Sequence, residues 1–172
     1  MPGSVIGKAL NFGYAGNVSR SHDAIITNRI VKPSDSVSIN FGDAVVLNGD
    51  NTFSKFGAAG TAAAFAGIAV REVKQSTVFG SNVGGSYAPA EPCDVLVRGT
   101  ATVVCNVGTP TAGGDVHVRI AANGAIPAGV IGGFEAAADG ANTIKLTGAK
   151  WTTGKLDANR VAEVTLTQRN NP

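Results

Sequence analysis

Residues 93–107 read CDVLVRGTATVVCNV, the longest β-like stretch of the chain, and what it becomes decides the fold. Val and Thr dominate it, and β-branched side chains fit a pleated, half-buried surface better than a helix. Gly99 interrupts the run near its middle, where a glycine marks a bulge or a tight bend.

Outward from this stretch the same texture recurs in shorter pieces. Upstream, SVSINFGDAVVLNG (36–49) alternates Val37, Ile39 and Phe41, turns at Gly42-Asp43 and resumes over residues 44–47. Asn48-Gly49-Asp50-Asn51 is a strong turn signal, and Thr52–Phe56 alternates again as a short strand. Gly57–Ala64 reads as a loop or a short helical turn. FAGIAVREVKQ (65–75) reads as a strand with Ile68, Val70 and Glu72 on one side and Ala69, Arg71 and Val73 on the other. Residues 76–92 hold glycines, prolines and several Ser and Asn, a long loop of the kind that usually makes contacts.

Downstream, GTPTAGGD (108–115) is a turn and VHVRIA (116–121) a strand. Residues 122–142 form a second long, Gly-rich region with Phe134 as its anchor. TIKLTGAKW (143–151) and AEVTLTQR (162–169) are strands flanking the turn TTGKLDAN (152–159). About eight to ten short strands, with turns every 8–12 residues and no helix over ten residues, describe an all-β protein. The expected architecture is a single compact β-barrel or sandwich, jelly-roll or β-tulip-like.

Composition agrees. The 172 residues suit one domain, and 23 glycines with only 15% charged and 6% aromatic residues belong to short strands and tight turns. No apolar run approaches the roughly 18–20 residues that span a bilayer. MPGSVIGKAL at the start lacks a charged segment followed by an apolar one, so the expectation is synthesis in a cytoplasm, with no membrane partner.

Residues 11–32, NFGYAGNVSRSHDAIITNRIVK, break the pattern. Their apolar positions neither recur every 3.6 residues nor alternate. Residues 1–34 carry Lys8, Arg20, Arg29 and Lys32 against Asp23 alone, leaving ten basic and eleven acidic side chains in the rest. The reading is an extended N-terminal arm over 1–35 and an all-β body over 36–172. Such a charge balance is too weak for a nucleic-acid partner, and it suits an arm lying on an acidic protein surface.

No chemistry-bearing constellation emerges. Cys93 and Cys105 have a spacing that matches no metal motif, and in a product of the cytoplasm they are expected to be reduced, partly buried thiols. Ser21, His22 and Asp23 are adjacent, and a nucleophilic triad must instead meet across a fold. His117 and Arg119 alternate with Val116, Val118 and Ile120, which reads as a solvated strand face. Trp151 reads as core. Asp139-Gly140-Ala141-Asn142 has an incomplete calcium spacing. No glycosidase carboxylate pair and no phosphate loop stand out, so no catalytic residue, cofactor or metal is expected.

Taken together, GNVSRSHDAIITNRIV, INFGDAVVLN, FAGIAVREVKQ, YAPAEPCDVLVRGTATV and TAGGDVHVRI resemble the capsid cement (decoration) proteins of tailed bacteriophages. The resemblance runs from about residue 11 to about 151. Its most specific pieces are G-I-A-V-R-E-V-K and Y-x-P-x-E-P-x-D-V-L-V-R-G. It implies a non-enzymatic virion protein on the outer surface of the head, partnered by the major capsid (coat) protein. It further implies homotrimers at three-fold and quasi-three-fold positions that clamp neighbouring coat subunits. On this reading Phe12, Tyr14, Arg20, Ile25, Ile26, Arg29 and Ile30 of the arm are the expected coat contacts, with loops 76–92 and 122–142 next. The rival reading is a glycan-binding tail-fibre or adhesin-like β module of the virion, which would want exposed aromatic residues.

Overall fold

Residues 93–107 become the strand around which everything else is arranged. The computed structural model describes residues 11–72, 74 and 85–167. In chain order its strands are β1 (Val18–Ile30), β2 (Ile39–Asn40), β3 (Ala44–Leu47) and β4 (Phe53–Lys55). These are followed by β5 (Phe65–Ala69), β6 (Ser86–Tyr87), β7 (Pro92–Val107) and β8 (Asp115–Arg119). β9 (Phe134–Glu135), β10 (Thr143–Trp151) and β11 (Val161–Leu166) complete the set. Among the described residues there is no α-helix, and two single 3-10 turns occupy Ala62–Ala64 and Gly140–Asn142.

The C-terminal half of β7 pairs antiparallel with β11 and parallel with β9. β9 pairs with β8, β8 with β10, and β10 with β11, so the ring closes into a barrel. Closure removes the unpaired edges that an open sheet must protect. The N-terminal half of β7 serves a second layer. Leu96 pairs with Ile68 of β5 and with Ile26 of β1, so these strands lie on opposite edges of β7. β5 leads on to β3 and β4, and an isolated parallel bridge joins Phe53 of β4 to Val31, just past β1. β2 and β6 form a separate two-stranded sheet.

Two apolar clusters follow from this division. The barrel cluster includes Leu96, Val103, Val118, Phe134, Leu146, Trp151 and Val164. The second gathers Val31, Ile39, Phe41, Phe53, Tyr87, Val95 and Val97. Residues on β7 contribute to both, because successive side chains of a strand point to opposite faces. That explains its nearly unbroken burial from Cys93 to Val103. The Tyr87 hydroxyl, buried, donates to the Val70 carbonyl at 2.5 Å.

The all-β class expected from the sequence is observed, and of the barrel and the sandwich it left open the chain forms the barrel, with Phe134 and Trp151 in its core. Three features differ. The strand expected over 65–75 ends at Ala69. β6 and β9, two residues each, fall inside segments read as loops. Arg119 is not on a solvated face: the stretch after β8 folds back over it, and its side chain is fully buried. Residues 75–84, most of the expected loop 76–92, lie outside the described residues, as do residues 1–10.

Candidate interaction surface

The segment without a period is a strand of 13 residues. β1 runs antiparallel along β7 from Val18 opposite Ala101 to Ile30 opposite Pro92. Its register shifts between Val18 and Arg20, between Arg20 and Ile25, and between Ile25 and Ile26. In the middle shift, β1 advances from Arg20 to Ile25 while β7 moves only from Thr100 to Arg98, so residues 21–24 arch away from the ladder. The first two shifts put extra residues in β1 and flip the facing of the side chains that follow, and the third puts the extra residue, Val97, in β7, so no regular alternation survives.

The bulges also set what the strand displays. In a regular strand Ile25 and Ile26 would face opposite sides; with a register shift between them both are exposed, at 37% each. Ile30, exposed at 43%, follows on the same face as Ile26. The three isoleucines therefore line one exposed strip, interrupted by Asn28 between Ile26 and Ile30. The inner side of β1 is anchored. Val18 and Ala24 pack on the barrel cluster, and Val31, just past the strand, is buried in the second; on the outer face the exposed Asn28 amide donates to Asp94 Oδ1 at 2.7 Å.

The other expected contact residues occupy different surroundings. Phe12 is half-buried and its N–H donates to Asp157 Oδ2 at 3.1 Å. Tyr14 is exposed, and its ring and that of Phe41 flank the Arg71 guanidinium at 5.3 and 5.6 Å. Residues 14–17 are stitched to β7: the Gly16 N–H donates to the Thr102 carbonyl, and the Thr102 hydroxyl donates to the Tyr14 carbonyl. Arg20 reaches out from β1 with Glu163 3.6 Å from its guanidinium. Arg29 donates from Nε to Asn51 Oδ1 at 2.6 Å and covers the Phe53 ring at 5.2 Å. The structure thus groups Ile25, Ile26 and Ile30, places Arg20 and Arg29 along the same strand, and sets Phe12 and Tyr14 beyond its beginning.

Loop 122–142, expected next after the arm to make contacts, carries most of a second apolar rim whose residues the sequence did not single out. Val104, Val130 and Ile131 are exposed around a shallow groove of about 300 Å³ that Ala15 and Phe134 also line. The adjacent Val130-Ile131 pair inside a Gly-rich loop was the available signal.

The remaining candidates for chemistry are tied up. Asp23 accepts from Arg98 Nε at 3.0 Å through both oxygens, so it does not serve His22. Lys145 and Lys150 hold the Asp115 carboxyl down to about 2. Cys93 and Cys105 are free and buried, and burial pushes both thiols up. Among the described residues no three His, Cys, Asp or Glu side chains gather as a metal site. The arrangement offers a rigid contact surface.

Comparison with known proteins adds an independent finding. The profile of a phage family described as structural cement protein (E217 gp24/Pam3 gp6) matches residues 1–167. In three dimensions the chain is similar to one in "The capsid of Myoviridae Phage XM1". That likeness has a TM-score of 0.66 at 15% identity and covers 95% of this chain and 96% of that one. At such identity it speaks for the fold alone. No curated protein matches the sequence.

Proposed function

The chain belongs to the phage structural cement protein family, and from that premise we propose that it binds the outer surface of an assembled head and clamps neighbouring coat subunits. The observation that carries this reading is the strip of Ile25, Ile26 and Ile30, held outward on a strand that is hydrogen-bonded to the central strand of the fold. Apolar side chains displayed on a rigid element bind without first being ordered, which keeps the entropic cost of association low.

Arg20 and Arg29, beside the strip, supply positive charge for an acidic coat surface, and Tyr14 extends the contact at the other end. On a shell the same modest contact repeats at every copy, so reinforcement sums over many sites. Homotrimers at three-fold and quasi-three-fold positions are the assembly that brings one protomer's strip to each of the subunits meeting there. The glycan-binding alternative gains no support, since Tyr14 is the one aromatic among the exposed large hydrophobic side chains of the described residues.

The test is add-back to expanded heads lacking this protein. Wild-type chain should bind and raise the temperature at which the heads rupture. The double variant Ile25→Asp/Ile30→Asp should fold yet lose binding at least tenfold. Point substitution is preferable to removing residues 1–30, because that deletion strips β1 from the sheet. Full binding by the double variant would refute the role of the strip.

A further inference from the structure

Arg119, the last residue of β8, has a fully buried side chain, and so has Glu135 of β9. Arg119 Nε and Nη2 donate to the two Glu135 carboxylate oxygens at 2.5 and 2.9 Å. Nη1 donates to Asp139 Oδ2 at 2.8 Å and to the Ala121 carbonyl at 3.2 Å. The Asp139 carboxylate also accepts from the Asn123 amide at 3.1 and 3.0 Å, and from Asn142 at 3.3 Å.

The main chain converges on the same residue. The Arg119 N–H donates to the Gly133 carbonyl and the Gly132 N–H to the Arg119 carbonyl, at 3.1 and 2.8 Å. Gly129 lies against the guanidinium so closely that a Cβ there would fall 2.2 Å from Arg119 Nε. Both ends of the excursion 121–133, and a point within it, therefore meet at one residue, the first end and Gly129 at its side chain and the last end at its main chain.

What the excursion lacks is equally informative. None of residues 121–133 belongs to a strand, and none contributes a buried hydrophobic side chain to either cluster. Its own turns are local, such as the Gly129 N–H to the Ile126 carbonyl and the Gly133 N–H to the Val130 carbonyl. A segment held by apolar packing opens only with the core; one held by a polar centre can open by itself.

We infer that Arg119, Glu135 and Asp139 form a polar latch that holds residues 121–133 closed on the barrel as a separately opening unit. A buried ion pair adds little over a well-packed apolar core, yet removing one partner strands a buried charge. The latch therefore fixes where Val130 and Ile131 are displayed without locking the excursion into the barrel's cooperative unit.

Amide hydrogen exchange on the full chain, followed residue by residue at neutral pH, tests this. In Glu135→Gln, exchange at Gly129, Gly132 and Gly133 should rise at least tenfold, while Val103 and Val164 in the barrel keep wild-type rates. Asp139→Asn, which removes only the second carboxylate, should give the same pattern at smaller amplitude, and it decides the matter alone if Glu135→Gln does not fold. Unchanged exchange over 129–133, or a rise matched at Val103 and Val164, overturns the latch.

Discussion

The backbone of Ala24 passes Gly99 so closely that a Cβ on the glycine would lie 2.9 Å from the Ala24 Cα and 3.1 Å from the Asp23 carbonyl. Gly99 also holds φ +118°, a conformation that side-chain-bearing residues rarely adopt. The arch of β1 over residues 21–24 and the glycine at the middle of β7 thus require each other. The contact ties the outer strand to the strand that organises the fold.

Gly99→Ala should therefore destabilise the protein by about 3 kcal/mol, from backbone strain and overpacking together. Equilibrium urea unfolding measures it directly. An unchanged midpoint would mean that β1 can lift from β7 at no cost, and the rigid display of its isoleucines would go with it.

The pH dependence of stability carries a second prediction. Burial, with a minor contribution from Lys145, pushes the His117 pKa below its ordinary value, against an opposing pull from Asp115 and Glu135. The folded state then binds fewer protons than the unfolded chain. This contribution is fully present above the unfolded histidine value of about 6.5 and declines as pH falls through it, levelling off below the folded value. Urea midpoints at pH 7.5 and pH 5.5 should fall further in wild type than in His117→Gln. Equal losses in the two proteins would contradict the assignment.

Thiol chemistry gives a third. Cys93 and Cys105 are both 0% exposed, and burial raises both pKa values, so the thiolate is disfavoured as well as shielded. A disulfide exchange reagent such as DTNB at pH 8 should leave both unreacted in the native protein and titrate two thiols in denaturant. Rapid reaction of one thiol in the native state would show that its cover opens.

Which parts of this were legible in the sequence follows from what generates a period. β3, β4, β7, β8, β10 and β11 alternate or run apolar between turn residues, and they appear where the pattern places them. β1 was illegible as a strand because its three register shifts scramble the facing of its side chains, although the need for a bend at Gly99 could be read. β6 and β9 are two residues long, too short for any period. Alternation put Arg119 opposite the Val116–Val118 face correctly, but it cannot reveal that a later segment covers that face with Glu135 and Asp139. The apolar members of the candidate surface could be named from sequence; that Ile25 and Ile26 both point outward required the register.

The most direct test of the account is a reconstruction of the phage head at a resolution that places side chains. The account predicts all-β densities on the outside of the shell, with β1 turned toward coat protein and Ile25, Ile26 and Ile30 covered by it. Densities bound through another face, with β1 and its three isoleucines left facing solvent, would contradict it.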